Sequence, residues 1–180
     1  MNTESANALV KQAEKLYQSG KYAEAAALFE QAAQISTQAG DILRAAELMN
    51  NRSVALLQSG SQQAALDAAA GTDEVFAKAG DARRQALALG NQAAALEGLN
   101  RLEEALARYR QCSELLKQVG DNENRAAVLK TISALQIRTG HQLEALASME
   151  VALDNTKKPS LQERFLKKLI DIPMRMLRRQ

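Results

Sequence analysis

The chain has no tryptophan and only three phenylalanines and three tyrosines in 180 residues, so stacked aromatic rings cannot organise its interior. Its two prolines, Pro159 and Pro173, leave everything before residue 159 free of the strongest helix breaker. A single cysteine, Cys112, excludes an internal disulfide and fits a reducing, cytoplasmic compartment. A single histidine, His141, has no second imidazole or thiol pair to complete a metal set, so no metal or other cofactor is expected. No apolar run reaches the length of a membrane span, and the opening MNTESANALVKQAEKL lacks a cationic segment followed by an apolar stretch.

What is present is small and apolar. Hydrophobic residues make up 46% of the chain, with alanine dominant, which suits backbones that approach closely with little side chain between them. That composition predicts helix packed on helix. The net charge of +2 divides unevenly: residues 1–156 carry 15 Lys/Arg against 19 Asp/Glu, and residues 157–180 carry 8 against 2. The basic part is the C-terminal segment.

Glycines at Gly20, Gly40, Gly60, Gly80, Gly120 and Gly140 recur every twenty residues, with Asn100 in the remaining slot. Aspartate follows only at Asp41, Asp81 and Asp121, so the full period is forty. Glycine past a helix end adopts the left-handed turn that closes the last carbonyls, and the aspartate can cap the next helix. The turns are short, so consecutive helices run antiparallel. Eight helices are expected, at about 4–18, 22–38, 41–58, 62–78, 81–98, 101–118, 121–138 and 141–155. Ala25, Ala65, Ala105 and Ala145 form a column at the same interval, where a larger side chain would hold two backbones apart. Leu16, Leu56 and Leu96 form a second column, Phe29 and Tyr109 part of a third, and Ile35, Val75 and Leu115 a fourth.

The run Ala13…Leu16…Gly20-Lys21-Tyr22-Ala23-Glu24-Ala25…Phe29…Ala32 resembles the tetratricopeptide repeat, as does Ala93…Leu96…Asn100-Arg101-Leu102-Glu103-Glu104-Ala105…Tyr109…Cys112. The other two units depart from the pattern at Ala69, Met149 and Gln136. The period exceeds the usual 34 residues, which resembles the long-helix branch that includes kinesin light chains and the Leu-Gly-Asn repeat proteins; Leu89-Gly90-Asn91 is that tripeptide here. The resemblance implies an all-α fold, an α-solenoid of about four antiparallel helix pairs at 4–40, 41–80, 81–120 and 121–156, followed by a basic amphipathic segment at 157–180. It also implies that the first helix of each pair lines a concave side.

Counting along those helices puts Lys11, Glu14, Asn50, Asn51, Val54, Leu87, Gly90, Asn91, Ala94, Lys130, Thr131 and Arg138 on the proposed inner wall, a groove for a peptide segment of another protein. Asparagine is a poor helix former whose amide needs partners. Asn51 and Asn91 could each receive a peptide N–H and donate to a peptide carbonyl, or could bond neighbouring helices and fix their spacing. Asn51-Arg52-Ser53 resembles the centre of a carboxylate clamp, but Val10, Glu14, Gly90 and Ala94 stand where its flanking lysine, asparagine, lysine and arginine are expected, and that specificity is rejected. Residues 159–172 carry Leu161, Phe165, Leu166, Leu169 and Ile170 on one side, with Arg164, Lys167 and Lys168 away from it. One reading of this segment is a helix that caps the last repeat; another is self-assembly or attachment to an anionic membrane surface, extended by Met174-Arg175-Met176-Leu177-Arg178-Arg179. Phe165 alone among those cations, together with the acidic repeat body, argues against nucleic acid. No catalytic constellation is present: Glu103 and Glu104 point to different sides of a helix, and Cys112 fills a small core slot. The expected protein is a non-enzymatic interaction scaffold.

Overall fold

A computed structural model describes the backbone of residues 3–177 and the side chains of residues 4–171. Among these are ten α-helices and no strand: α1 (Thr3–Gln18), α2 (Tyr22–Gln38), α3 (Ile42–Gln58), α4 (Gln62–Ala69), α5 (Thr72–Lys78), α6 (Ala82–Gly98), α7 (Leu102–Gln118), α8 (Asn122–Arg138), α9 (Gln142–Asp154) and α10 (Leu161–Leu177). The chain divides into two compact units, Met1–Ala105 and Leu106–Gln180.

The turns behave as the glycine rhythm predicts. Gly20, Gly40, Gly60, Gly80, Gly120 and Gly140 all take positive φ, and Asn100, in the slot that lacks glycine, does the same at 59°. Each turn closes on a carbonyl five residues back, as in Asp41 N–H to Ser36 O at 2.9 Å and Asp121 N–H to Leu116 O at 2.9 Å. Asp41, Asp81 and Asp121 then accept from the backbone N–H of Arg44, Arg84 and Asn124. Lys21, Ser61 and His141, which hold the intervening positions, make no side-chain cap. The forty-residue period is therefore a period in capping chemistry as well as in letters. Arg84 holds Asp81 below the usual carboxylate range, through its backbone N–H and then its guanidinium.

In the N-terminal unit α1 packs on α2, α2 on α3, and α3 on α4, α5 and α6. Its core is lined by alanines with Phe29, Ile35 and Leu48 as the larger members. The alanine column is buried throughout: Ala25, Ala65 and Ala105 expose 0% and Ala145 2%. Such close approach brings the carbonyls of one helix within reach of its neighbour. In the second and fourth repeats a buried serine exploits this, Ser53 donating to Ala65 O at 2.8 Å and Ser133 to Ala145 O at 2.7 Å. In the first and third repeats Ala13 and Ala93 occupy the same place. Gln136, the polar residue in the leucine column, is buried because Ser148 donates to its Oε1 at 2.8 Å.

One expected helix is broken. The span 62–78 is not continuous: Ala70 is extended, and Gly71 sits at φ 73° before α5 begins. Gly71-Thr72-Asp73 is the same glycine-led helix punctuation, standing outside the twenty-residue rhythm. The carbonyl of Ala69, released by the break, accepts from Thr72 Oγ1 at 2.7 Å and from Gln92 Nε2 at 3.0 Å. Phe76 follows the break, is 1% exposed, and forms a layer with Ala46 and Ala88.

In the C-terminal unit α8 packs on α9 and α9 on α10. α10 starts with a reciprocal cap: Ser160 Oγ accepts from Glu163 N–H at 3.2 Å, and Glu163 accepts from Ser160 N–H at 2.7 Å. The expected amphipathic stretch 159–172 is thus a helix that begins at Leu161 and continues through Pro173 to Leu177. The side chains of Met174, Arg175, Met176 and Leu177, and all of Arg178 and Arg179, lie outside the described residues. Two ion pairs fasten α10, Glu163 to Lys130 on α8 and Lys167 to Asp154 on α9. The Lys130 ammonium and the two Ser160 contacts pull the Glu163 carboxyl from 4.5 to about 2.

Two outcomes follow from this architecture. Gly71→Ala places a Cβ in the left-handed conformation and lowers unfolding free energy by about 1 kcal/mol in a urea titration. A carboxyl whose pKa is lowered by folding stabilises above its ordinary value and loses that contribution as pH falls. Amide exchange in α10 should therefore accelerate relative to α8 as pH falls from 4.5 toward about 2, and Glu163→Gln should abolish this pH dependence.

Candidate functional site

The expected site residues on the first helices of the N-terminal unit fall into two groups. Glu14, Asn51 and Val54 converge, together with Tyr17, Gln18 and Phe29, around a cavity of about 280 Å³. Its floor is apolar, made by the buried Phe29 with the half-buried Val54 and Tyr17, while Glu14, Gln18 and Asn51 place a carboxylate and two amides at the lining. Tyr17 is steadied by an edge-to-face contact with Tyr22, ring centroids 5.2 Å apart. Lys11 is exposed on the same helix as Glu14, one turn earlier.

The second group is an amide pair. Asn91 Nδ2 on α6 donates to Asn50 Oδ1 on α3 at 3.5 Å, and Thr72 Oγ1 lies 3.2 Å from the same oxygen. The pairing falls one residue from the Asn51–Asn91 correspondence that the sequence suggests. Asn50 is buried with its carbonyl engaged, whereas Asn51 and Asn91 are half-buried. Thr72 has one proton, and its contact with Ala69 O at 2.7 Å is the shorter of its two. Gln92, beside Asn91, donates from Nε2 both to Ala69 O and to Asp73 Oδ1 at 2.7 Å. Asn50, Thr72, Asp73, Asn91 and Gln92 thus form one hydrogen-bonded cluster at the α4–α5 break. Sequence reasoning identified two of the five and missed Thr72, Asp73 and Gln92; the signal was Gly71, which marks freed backbone needing partners.

Of the other expected residues on α6, Leu87 is exposed while Gly90 and Ala94 are half-buried. In the C-terminal unit Lys130, Thr131 and Arg138 all lie on α8. Lys130 borders a cavity of about 500 Å³ with Glu123, Ala126, Thr156, Lys157 and Lys158, and its ammonium is held by Glu163. Thr131 turns its hydroxyl back to Ala127 O at 3.4 Å. Cys112 is buried, and burial pushes its thiol up to about 11, which leaves it protonated and unreactive at neutral pH. His141 is exposed at its turn, with Nδ1 2.9 Å from Thr139 Oγ1.

Residues 84–158 match the family model described as tetratricopeptide repeat. Over the whole chain the fold is similar to the crystal structure of a Podosopora anserina protein described as kinesin light chain nearly identical TPR-like repeats. The TM-score is 0.55, with 99% of each chain covered at 14% sequence identity. Among curated proteins none matches in sequence. The family match includes the fourth repeat, whose pattern is interrupted at Gln136 and Met149, and the fold likeness extends the repeat architecture to the rest.

Asn50→Ala would leave the Asn91 amide without its acceptor, while Thr72 keeps its bond to Ala69 O, and should cost about 1 kcal/mol in urea unfolding. Asn51→Ala, which interrupts no such bond, should leave stability within about 0.5 kcal/mol.

Proposed function

We propose that the chain is a non-enzymatic scaffold that holds an extended peptide segment of a partner protein against the first-helix faces of its N-terminal unit. Repeats of the tetratricopeptide type generally mediate protein–protein interaction, and residues 84–158 match that family. The observation that carries the more specific reading is the convergence of Glu14, Asn51 and Val54 on one half-open, apolar-floored cavity. Such a cavity takes a single side chain. Its chemistry suits a long one with an apolar stem on Phe29, Tyr17 and Val54 and a cationic end near Glu14, a lysine or arginine of the partner.

Beside it, the Asn51 amide offers one carbonyl and one NH2 to the peptide backbone, which holds an extended chain whatever its side chains. Asn91 contributes differently. Its NH2 is directed to Asn50, so its remaining polar capacity is chiefly an acceptor for a peptide N–H. Lys11, Leu87, Gly90 and Ala94 would flank the bound segment. One buried, protonated thiol is compatible with a reducing cytoplasmic setting.

The test is selection of a random peptide library on the full chain, followed by affinity measurement on the enriched peptides. Lysine or arginine should be enriched at one position. Glu14→Gln should weaken binding about ten-fold, and Asn51→Ala with Asn91→Ala by a similar factor, as expected for loss of charged and neutral hydrogen bonds. Unchanged affinity in both variants overturns the reading.

A further inference from the structure

α10 has two opposed faces. Glu163, Lys167 and Ile170 form the attached side, through the pairs to Lys130 and Asp154 and the burial of Ile170 to 4% exposure. On the helical period of about 100° per residue, Leu161, Phe165 and Leu169 form a ridge roughly opposite that side. They are 82%, 64% and 50% exposed, so the most apolar face of α10 points away from the helices that hold it. Arg164 and Lys168, both exposed, fall along one edge of the ridge, and the exposed Lys157 and Lys158 precede the helix. Asp171 falls between Lys167 and that cationic edge, close to Arg164 on the helical wheel, and its charge acts on Lys167.

We propose that α10 is a peripheral anchor whose Leu161–Phe165–Leu169 ridge enters the headgroup region of an anionic lipid surface. An apolar ridge bordered by cations is the pattern of a helix lying in the interface plane. Residues 157–180 carry 8 Lys/Arg against 2 Asp/Glu, which complements an anionic surface and opposes close pairing of two copies through the same face. Among the described residues no helix is long and apolar enough to cross a membrane, so the contact is with the surface rather than through it.

The experiment is co-sedimentation of the full chain with phosphatidylcholine vesicles, with and without phosphatidylglycerol, alongside light scattering without lipid. Binding should require phosphatidylglycerol and weaken with added salt. It should fall about ten-fold or more in Phe165→Glu with Leu169→Glu, and about ten-fold in Arg164→Glu with Lys168→Glu. Leu143→Glu, on the comparably exposed Leu143 of α9, should leave it unchanged. These positions are exposed, so circular dichroism and melting should be unaltered in every variant. Absence of binding to either vesicle overturns the proposal, as does equal binding to both or equal loss in Leu143→Glu. A dimer in light scattering that Phe165→Glu dissolves, without vesicle binding, overturns it in favour of a second copy as the occupant.

Discussion

The close approach of paired helices at the alanine column is the constraint on which the rest of this structure rests. A methyl group at Ala25, Ala65, Ala105 and Ala145 lets two backbones meet with almost nothing between them. Dispersion contacts then come from main-chain atoms as much as from side chains, which is how a chain without tryptophan can still bury its interior. Close approach also brings backbone carbonyls into an apolar interior. Ser53 and Ser133 turn that exposure into bonds between helices. In the second and fourth repeats a hydroxyl therefore adds to the packing at this layer.

The second repeat shows the same logic under greater demand. Gly71 ends α4 early, and the break releases a buried carbonyl at Ala69 that water cannot reach cheaply. The polar residues that answer it come from two elements, Thr72 from α5 and Gln92 from α6, with Asn50 of α3 beside Thr72. Asn91 joins the cluster at its edge. Structural satisfaction is thus shared among neighbouring amides. Asn51 and Asn91 are half-buried, and Asn50 is buried beneath them in the cluster.

Much of the architecture was legible because its signals are local. Glycine past a helix end and aspartate before the next act within about five residues, so the turns and the three capped starts could be located from letters alone. The burial of Cys112 followed from its slot in the repeat. The break at Gly71 was missed because periodicity across the other repeats outweighed a single residue outside the rhythm. Gln136 looked like a flaw in the leucine column, since its partner Ser148 lies on the next helix and only packing brings the two together.

By itself the sequence determined that the chain is helical, where its helices turn, and which columns are small enough to be buried, because backbone propensity and capping depend on near neighbours. Tertiary structure decided the rest. It paired Asn91 with Asn50 rather than Asn51, gathered Glu14, Asn51 and Val54 around one cavity, and turned the apolar ridge of α10 outward while salt bridges held its other side. The physical reason is that a side chain's partner depends on distances between helices and on their rotation about their own axes. Those quantities come from the summed packing of all the neighbours, and no window of sequence contains them.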